Sequence, residues 1–268
     1  MSILPALLLV GGGRMGSAML AGWRERGLSQ VVVVDPSAEA QKLAGVGVQV
    51  VADAAGIPAG FTPEAVILAV KPQMAAAALP AYARFAGQAL FISIMAGKTL
   101  RTVGQMLGVR APVVRAMPNT PAAVRQGITV AVAGHQVSPR QKMLADSLLC
   151  AIGSTEWVED EDLLDPVTAI SGGGPAYVFL LVELLEREAL AQGIPAALAR
   201  QLARQTVIGS AALLAASDED ASALRLAVTS PGGTTEQALV VLRADGAWPD
   251  TFSAAIQAAT QRSRELSA

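Results

Sequence analysis

The stretch that most constrains this chain is LLLVGGGRMG, Leu7 to Gly16, where four apolar residues run straight into Gly11-x-Gly13-x-x-Gly16. A short apolar run bounded by glycine reads as a buried strand, and Met15–Arg26 behind it has a helical pattern. At such a junction the first glycine permits a tight turn. The second leaves the backbone bare, so that a pyrophosphate can approach the helix N-terminus, and the third lets helix and strand pack closely. Asp35 closes the next apolar run, VVVVD, nineteen residues beyond Gly16, where an adenosine ribose is normally read. Gly11, Gly13, Arg14, Met15 and Gly16 are therefore expected to cradle a dinucleotide, with Asp35 on its ribose.

The same alternation continues downstream. AVILAV from Ala65, ALFISIMAG from Ala89 and ITVAVAG from Ile128 read as further strands, and Ala38–Ala44, Gln73–Phe85 and Leu100–Leu107 suit crossover helices. The first four runs are almost unbroken Val, Ile, Leu and Ala, as in a parallel sheet covered on both faces. This rhythm predicts an α/β fold that opens with a Rossmann-type, doubly wound, mostly parallel sheet. From about Asp162 the strand signals stop, and Pro175–Gln192, Pro195–Ala216, Thr234–Ala244 and Thr251–Leu266 read as helices. The expected division lies in the acidic EWVEDEDLLD, giving a dinucleotide-binding domain over 1–160 and an all-α domain over 161–268. The first helix of that second half, AYVFLLVELL, is apolar nearly all round. In a domain of about a hundred residues it has too few partners, so burial against a second subunit is expected, the alternative being the central helix of a monomeric bundle.

Composition narrows the chemistry. With 52% apolar and 16% charged residues the chain can bury a sizeable core, and a net charge of −2 gives no support for nucleic-acid binding. The single Cys150 excludes a disulfide framework and reads as a small buried hydrophobe; the single His135 sits in a polar turn and reads as solvated. No metal site is expected from so few ligands. The apolar N-terminus lacks a basic segment and ends in a glycine turn, so it reads as a strand, not a signal. The longest apolar run, Tyr177 to Leu185, is broken by Glu183 and reads as too short for a bilayer. A soluble, cytoplasmic protein with no membrane partner is expected.

Asp35 accepts from a ribose 2′-hydroxyl and repels a 2′-phosphate, which leans the cofactor towards NADH over NADPH. Ser37 could still donate to a phosphate, and no arginine is adjacent, so both cofactors stay open. Ala69, Val70, Lys71 and Pro72 in AVKPQ follow a strand at the rim where such sheets bind ligands. Lys71 either serves a phosphate or ribose, or is an exposed loop lysine.

Four segments in order, AVKPQ, VRAMPNTPA (Val114 to Ala122), AISGGGPAYVF (Ala169 to Phe179) and VTSPGGTTEQAL (Val228 to Leu239), resemble pyrroline-5-carboxylate reductase. The likeness runs from about residue 7 to 266, and its last two segments are the specific ones. It implies a Rossmann domain followed by a helical domain interlocked with a second subunit, as a dimer or a ring of dimers. It also implies hydride transfer from NADH or NADPH to the C=N bond of 1-pyrroline-5-carboxylate. On this resemblance Ser230, Gly232, Gly233 and Thr234 would hold the substrate carboxylate at a helix start, and Thr235 would face the ring nitrogen. The alternative for Thr234 or Thr235 is a helix cap, with Glu236 or Gln237 completing a capping box. Pro118 and Asn119 would border the nicotinamide, and Ser93, Met95 and Ala96 would lie beneath it, or else serve packing. In one departure, Gly173 stands where the family usually has serine, so no side-chain bond from that position carries over.

The inventory fits the implied reaction. A cyclic imine is basic enough to carry its own proton near neutrality, so orientation, one hydrogen bond and a grip on the carboxylate suffice. Reduction at a C–O bond usually employs His or Lys, yet of the four lysines, Lys42, Lys71, Lys98 and Lys142, none lies in the helical half. The rival readings are another imine or β-hydroxyacid reductase on the same plan, or a non-catalytic NAD(P)H-binding protein.

Overall fold

A computed structural model of the chain describes residues 4–108 and 111–267. Eight strands form one sheet: β1 (Leu7–Val10), β2 (Val31–Val34), β3 (Val48–Val51), β4 (Ala65–Leu68), β5 (Leu90–Ser93), β6 (Val113–Met117), β7 (Gly127–Ala133) and β8 (Gly153–Val158). Their order is β3-β2-β1-β4-β5-β6-β7-β8, and every neighbouring pair is parallel except β6 with β7. Leu7, Leu9, Val31, Val33, Ala65 and Ile67 face one apolar cluster, while Leu8, Val10, Val32, Val34, Val66 and Leu68 face the other. That two-sided burial explains why these strands are continuous apolar runs instead of alternating ones.

Three strands carry no such run. VQVV of β3 lies at the sheet edge, GSTEWV of β8 alternates, and VVRAM of β6 is broken by Arg115. Arg115 is nonetheless buried, because its guanidinium meets Glu161 at 2.8 Å. The expected crossover helix Gln73–Phe85 is corrected to three short pieces: a 3₁₀ turn Pro72–Met74, one α-turn Ala75–Ala78 and a 3₁₀ stretch Leu79–Phe85. Pro80 has no N–H to offer an α-helix there, so the backbone tightens. Ala38–Ala44 likewise shortens to Ala38–Gln41, capped by Ser37. Pro139–Leu149 forms a helix that periodicity did not single out, started by a capping box between Ser138 and Gln141.

The chain divides into two compact units, Met1–Gly172 with Ala259–Ala268, and Gly173–Ala258. The change of unit falls inside AISGGGPAYVF, beside a π-helical turn at Thr168–Gly172. Within Gly173–Ala258 the helices Gly174–Ala191 and Ala196–Ala215 pack on each other, followed by Ala221–Ala227, Thr234–Leu242 and the start of Trp248–Ser267. Tyr177 meets Phe252 edge to face, with centroids 5.8 Å apart. Large side chains on these helices nevertheless face outward, among them Phe179, Leu180, Ile208, Leu213 and Val241. The helical backbone through Glu161–Ala191, 31 residues, is long and apolar enough to cross a bilayer by length and composition alone. The apolar run expected to be too short is thus part of a longer apolar helical stretch.

Candidate active site

The glycine turn is built as its spacing demands. Gly11 has φ +102°, and a Cβ there would stand 2.6 Å from the Ala69 carbonyl oxygen, so the turn after β1 lies directly against AVKPQ after β4. A Cβ on Gly16 would collide with the Gly11 carbonyl oxygen. Above Gly13, by contrast, nothing lies within 4 Å. The helix Arg14–Arg26 that follows has no side-chain cap and no acidic residue in its first turn. The helix start thus offers N–H groups with no side-chain cap beside the open position at Gly13, which is what a pyrophosphate needs. The turn fits a dinucleotide.

Asp35 follows β2 beside this turn. One carboxylate oxygen accepts from the Gly12 N–H at 2.7 Å and the other from the Ser37 N–H at 2.8 Å. Partial burial pushes its carboxyl up, but hydrogen bonds from the Ser37 side chain, the Ser37 backbone and the Gly12 backbone outweigh that and hold it below the usual range. It is a fixed anion, with its orientation set by two backbone donors.

The other expected cofactor residues also follow strand ends. Ala69, Val70, Lys71 and Pro72 leave β4, with Lys71 exposed. Ser93 ends β5 fully buried, and its hydroxyl takes the Met95 N–H at 3.5 Å, while the Met95 side chain joins the core. Both residues are thus buried whole, and Ala96 beside them is half-buried. Pro118 is buried after β6. The Asn119 side chain bridges two elements, accepting from the Ile128 N–H at 2.9 Å and donating to the Ser171 carbonyl at 3.1 Å. Because β1, β2, β4, β5 and β6 are parallel, all these residues share the carboxyl edge of the sheet. The strand order reverses there between β1 and β4.

Glu161 was not singled out from sequence. It binds the Arg115 guanidinium and accepts from the Leu100 N–H at 2.8 Å, so it fixes both the strand leading to MPNTP and the start of helix Leu100–Leu107. The only hint is an arginine amid apolar residues in VVRAM. His135 is exposed and Cys150 is half-buried, its thiol 3.7 Å from Asp146.

In the helical unit, Ser230, Pro231, Gly232 and Gly233 form a tight turn, closed by the Gly233 N–H on the Ser230 carbonyl at 3.0 Å. Gly232 has φ +69°, the conformation that the position after proline requires in such a turn. Gly233 is the N-cap of helix Thr234–Leu242 and supplies no side chain. Glu236 bends back to accept from the Gly232 N–H at 2.8 Å. The capping alternative for the threonines therefore differs from the geometry: the cap is Gly233, and among the described residues neither the Thr234 nor the Thr235 hydroxyl has a hydrogen-bond partner. The Gly232 and Gly233 N–H groups are engaged within the loop. The N–H groups of Thr234, Thr235 and Glu236 are left at the helix start, together with the two threonine hydroxyls.

A glycine cradle at the switch point of a parallel sheet, an anion at the ribose position and a hydroxyl-rich loop without His, Cys or Lys define an NAD(P)H-dependent oxidoreductase of the Rossmann type. Residues 161–266 match the family model for pyrroline-5-carboxylate reductase dimerisation, and the chain is 39% identical to a pyrroline-5-carboxylate reductase of Pseudomonas aeruginosa, over 98% of this chain and 97% of that one. The chain belongs to the pyrroline-5-carboxylate reductase family. Residues 6–97 also match the model for NADP oxidoreductase, coenzyme F420-dependent. Among solved structures, a Coxiella burnetii pyrroline-5-carboxylate reductase is 34% identical with a TM-score of 0.89, covering 98% of this chain and 99% of its own. A Plasmodium falciparum pyrroline carboxylate reductase with NADP bound is 26% identical with a TM-score of 0.84, covering 98% of each.

Proposed function

We propose that this chain catalyses the reaction its family is named for, reduction of the C=N bond of 1-pyrroline-5-carboxylate to give L-proline, with Thr235 as the catalytic hydroxyl. The observation that carries the assignment is the helix start at Thr234, which has no side-chain cap and carries two unpartnered hydroxyls. The substrate carboxylate lies at this start, where the Thr234 and Thr235 N–H groups and the Ser230 and Thr234 hydroxyls supply donors, and Gly232 and Gly233 shape the turn beneath it. The Thr235 hydroxyl faces the ring nitrogen. It donates to the neutral imine or accepts from the iminium N–H, so one side chain serves both protonation states. The iminium is the form reduced: a bound nicotinamide would supply hydride to its carbon, and the nitrogen, protonated beforehand from solvent, keeps that proton to become the amine. No titrating acid or base is needed.

At the sheet edge, Gly11, Gly13, Arg14, Met15 and Gly16 hold the pyrophosphate. Ala69, Val70, Lys71 and Pro72 flank it, and Ser93, Met95, Ala96, Pro118 and Asn119 enclose the nicotinamide end. Asp35 and Ser37 meet the adenosine ribose. The fixed carboxylate of Asp35 favours NADH, since a 2′-phosphate would sit against it. The outward apolar helices of Gly173–Ala258 bury themselves against a second copy, as a dimer or a ring of dimers, and this use accounts for the apolar stretch through Glu161–Ala191 without a membrane. The enzyme works in the cytoplasm.

The deciding experiment is steady-state turnover of 1-pyrroline-5-carboxylate with NADH and NADPH in parallel, beside a panel of β-hydroxyacids with the oxidised cofactors. Rapid oxidation of reduced cofactor by the imine, with NADH preferred, is expected. Turnover of a hydroxyacid with an inert imine would overturn the assignment.

A further inference from the structure

The C-terminal helix Trp248–Ser267 contributes its last turns, from Ala259, to the first unit. Two contacts hold them there. The Ser263 hydroxyl donates to Asp165 Oδ1 at 2.6 Å, with both side chains buried. The Ser267 hydroxyl stands 3.5 Å from the same oxygen and bonds the Ser263 carbonyl at 3.1 Å. One turn of helix separates Ser263 from Leu266, whose backbone lies on Gly97: a Cβ at Gly97 would be 2.8 Å from the Leu266 carbonyl oxygen. Gly97, at φ +68°, closes the loop that leaves β5 through Ser93, Met95 and Ala96. That loop is anchored in the sheet at one end by the Ser93–Met95 hydrogen bond and bounded at the other by Leu266.

We propose that Asp165 and Ser263 are positioning residues for the nicotinamide end of the cofactor site. The bond is short and buried at both ends, so it sets the position of the last helical turns along their axis. The Leu266 backbone then sets Gly97, and with it the neighbouring half-buried Ala96. A pin that served stability alone could fall anywhere along the helix. This one acts one turn from a left-handed glycine whose missing Cβ is what admits the helix. The proposal rests on the reading of Ser93–Gly97 as the nicotinamide floor.

The test compares binding of NADH with binding of ADP-ribose, which has the adenosine and pyrophosphate but no nicotinamide. Ala96→Val checks the floor itself: weaker NADH binding with unchanged ADP-ribose binding is expected, and no such split would sink the floor reading. Ser263→Ala is expected to show the same split, with kcat lowered roughly fivefold, on the scale of one hydrogen bond. Ser263→Thr and Asp165→Asn keep the donor and the acceptor, and both should stay within about twofold of the parent, whereas Asp165→Ala should not. If Ala96→Val splits the two ligands and Ser263→Ala does not, the floor stands and the positioning role falls. It falls equally if Ser263→Ala lowers the melting temperature but leaves kcat and both affinities unchanged, or if Asp165→Asn is as damaged as Asp165→Ala. Should Asp165→Ala not fold, the two serine variants decide.

Discussion

The two units solve the burial problem in opposite ways. In the sheet unit, every residue of β1, β2 and β4 is buried, with apolar clusters on both faces. In Gly173–Ala258, only Ala199 and Ala203 are buried among the described residues, while Phe179 is 62% and Val241 is 70% exposed. The first unit completes its core from its own chain. The second has half a core, and by itself its exposed apolar surface far exceeds what a monomer tolerates. On the proposed reading, the cofactor is held by a unit that is rigid by itself, whereas the proposed substrate loop is carried on helices that gain stability from association.

The contrast can be broken most sharply at Gly16. Gly16→Ala drives a Cβ into the Gly11 carbonyl within a closed core, so it should cost about 3 kcal/mol or more by chemical denaturation and abolish cofactor binding. Near-parental stability would mean the turn can relax, and the sheet unit is less closed than it looks. The opposite behaviour is expected at Phe179. Phe179→Glu leaves the core of the sheet unit intact but should weaken self-association by roughly two orders of magnitude, measured by sedimentation equilibrium. An unaltered association constant would place the subunit contact elsewhere.

Smaller effects test the two binding regions. Thr235→Ala should fold normally and lower kcat/KM by roughly tenfold, the scale of one hydrogen bond to a charged group; parental activity removes Thr235 from the mechanism. Asp35→Ser should shift the ratio of kcat/KM for NADPH over NADH upward by about tenfold, equivalent to 1.4 kcal/mol. An unchanged ratio means that Asp35 does not read the ribose. The smallest effect concerns pH. The Asp35 carboxyl is held below its usual value, so its contribution to stability is present above the unfolded value of about 3.9 and is lost as pH falls through the lower folded value. The cofactor preference of the parent enzyme should thus be flat above about pH 5, and a midpoint near neutrality would point to another group.

Much of this was legible in the residues alone. Four apolar runs, three glycines and an aspartate specify buried strands, a tight turn into a helix and a carboxylate fixed beside it, because each depends on contacts near in sequence or on a repeating period. TSPGG likewise announces a tight turn before a helix. What the residues could not say is how distant groups settle their accounts. Neither Thr234 nor Thr235 caps its helix, because the backbone enters the helix at Thr234 with Gly233 as the cap. Arg115 belongs to a strand only because Glu161 neutralises it there, and Asn119 is tied to both Ile128 and Ser171. Ser263 reaches Asp165 across 98 positions of sequence, bringing the end of the chain to the loop after β5. Local pattern determined the doubly buried strands, the glycine turn and most of the helices. Tertiary structure decided which polar groups are already spent on one another, since hydrogen bonds between distant residues leave no period in the sequence.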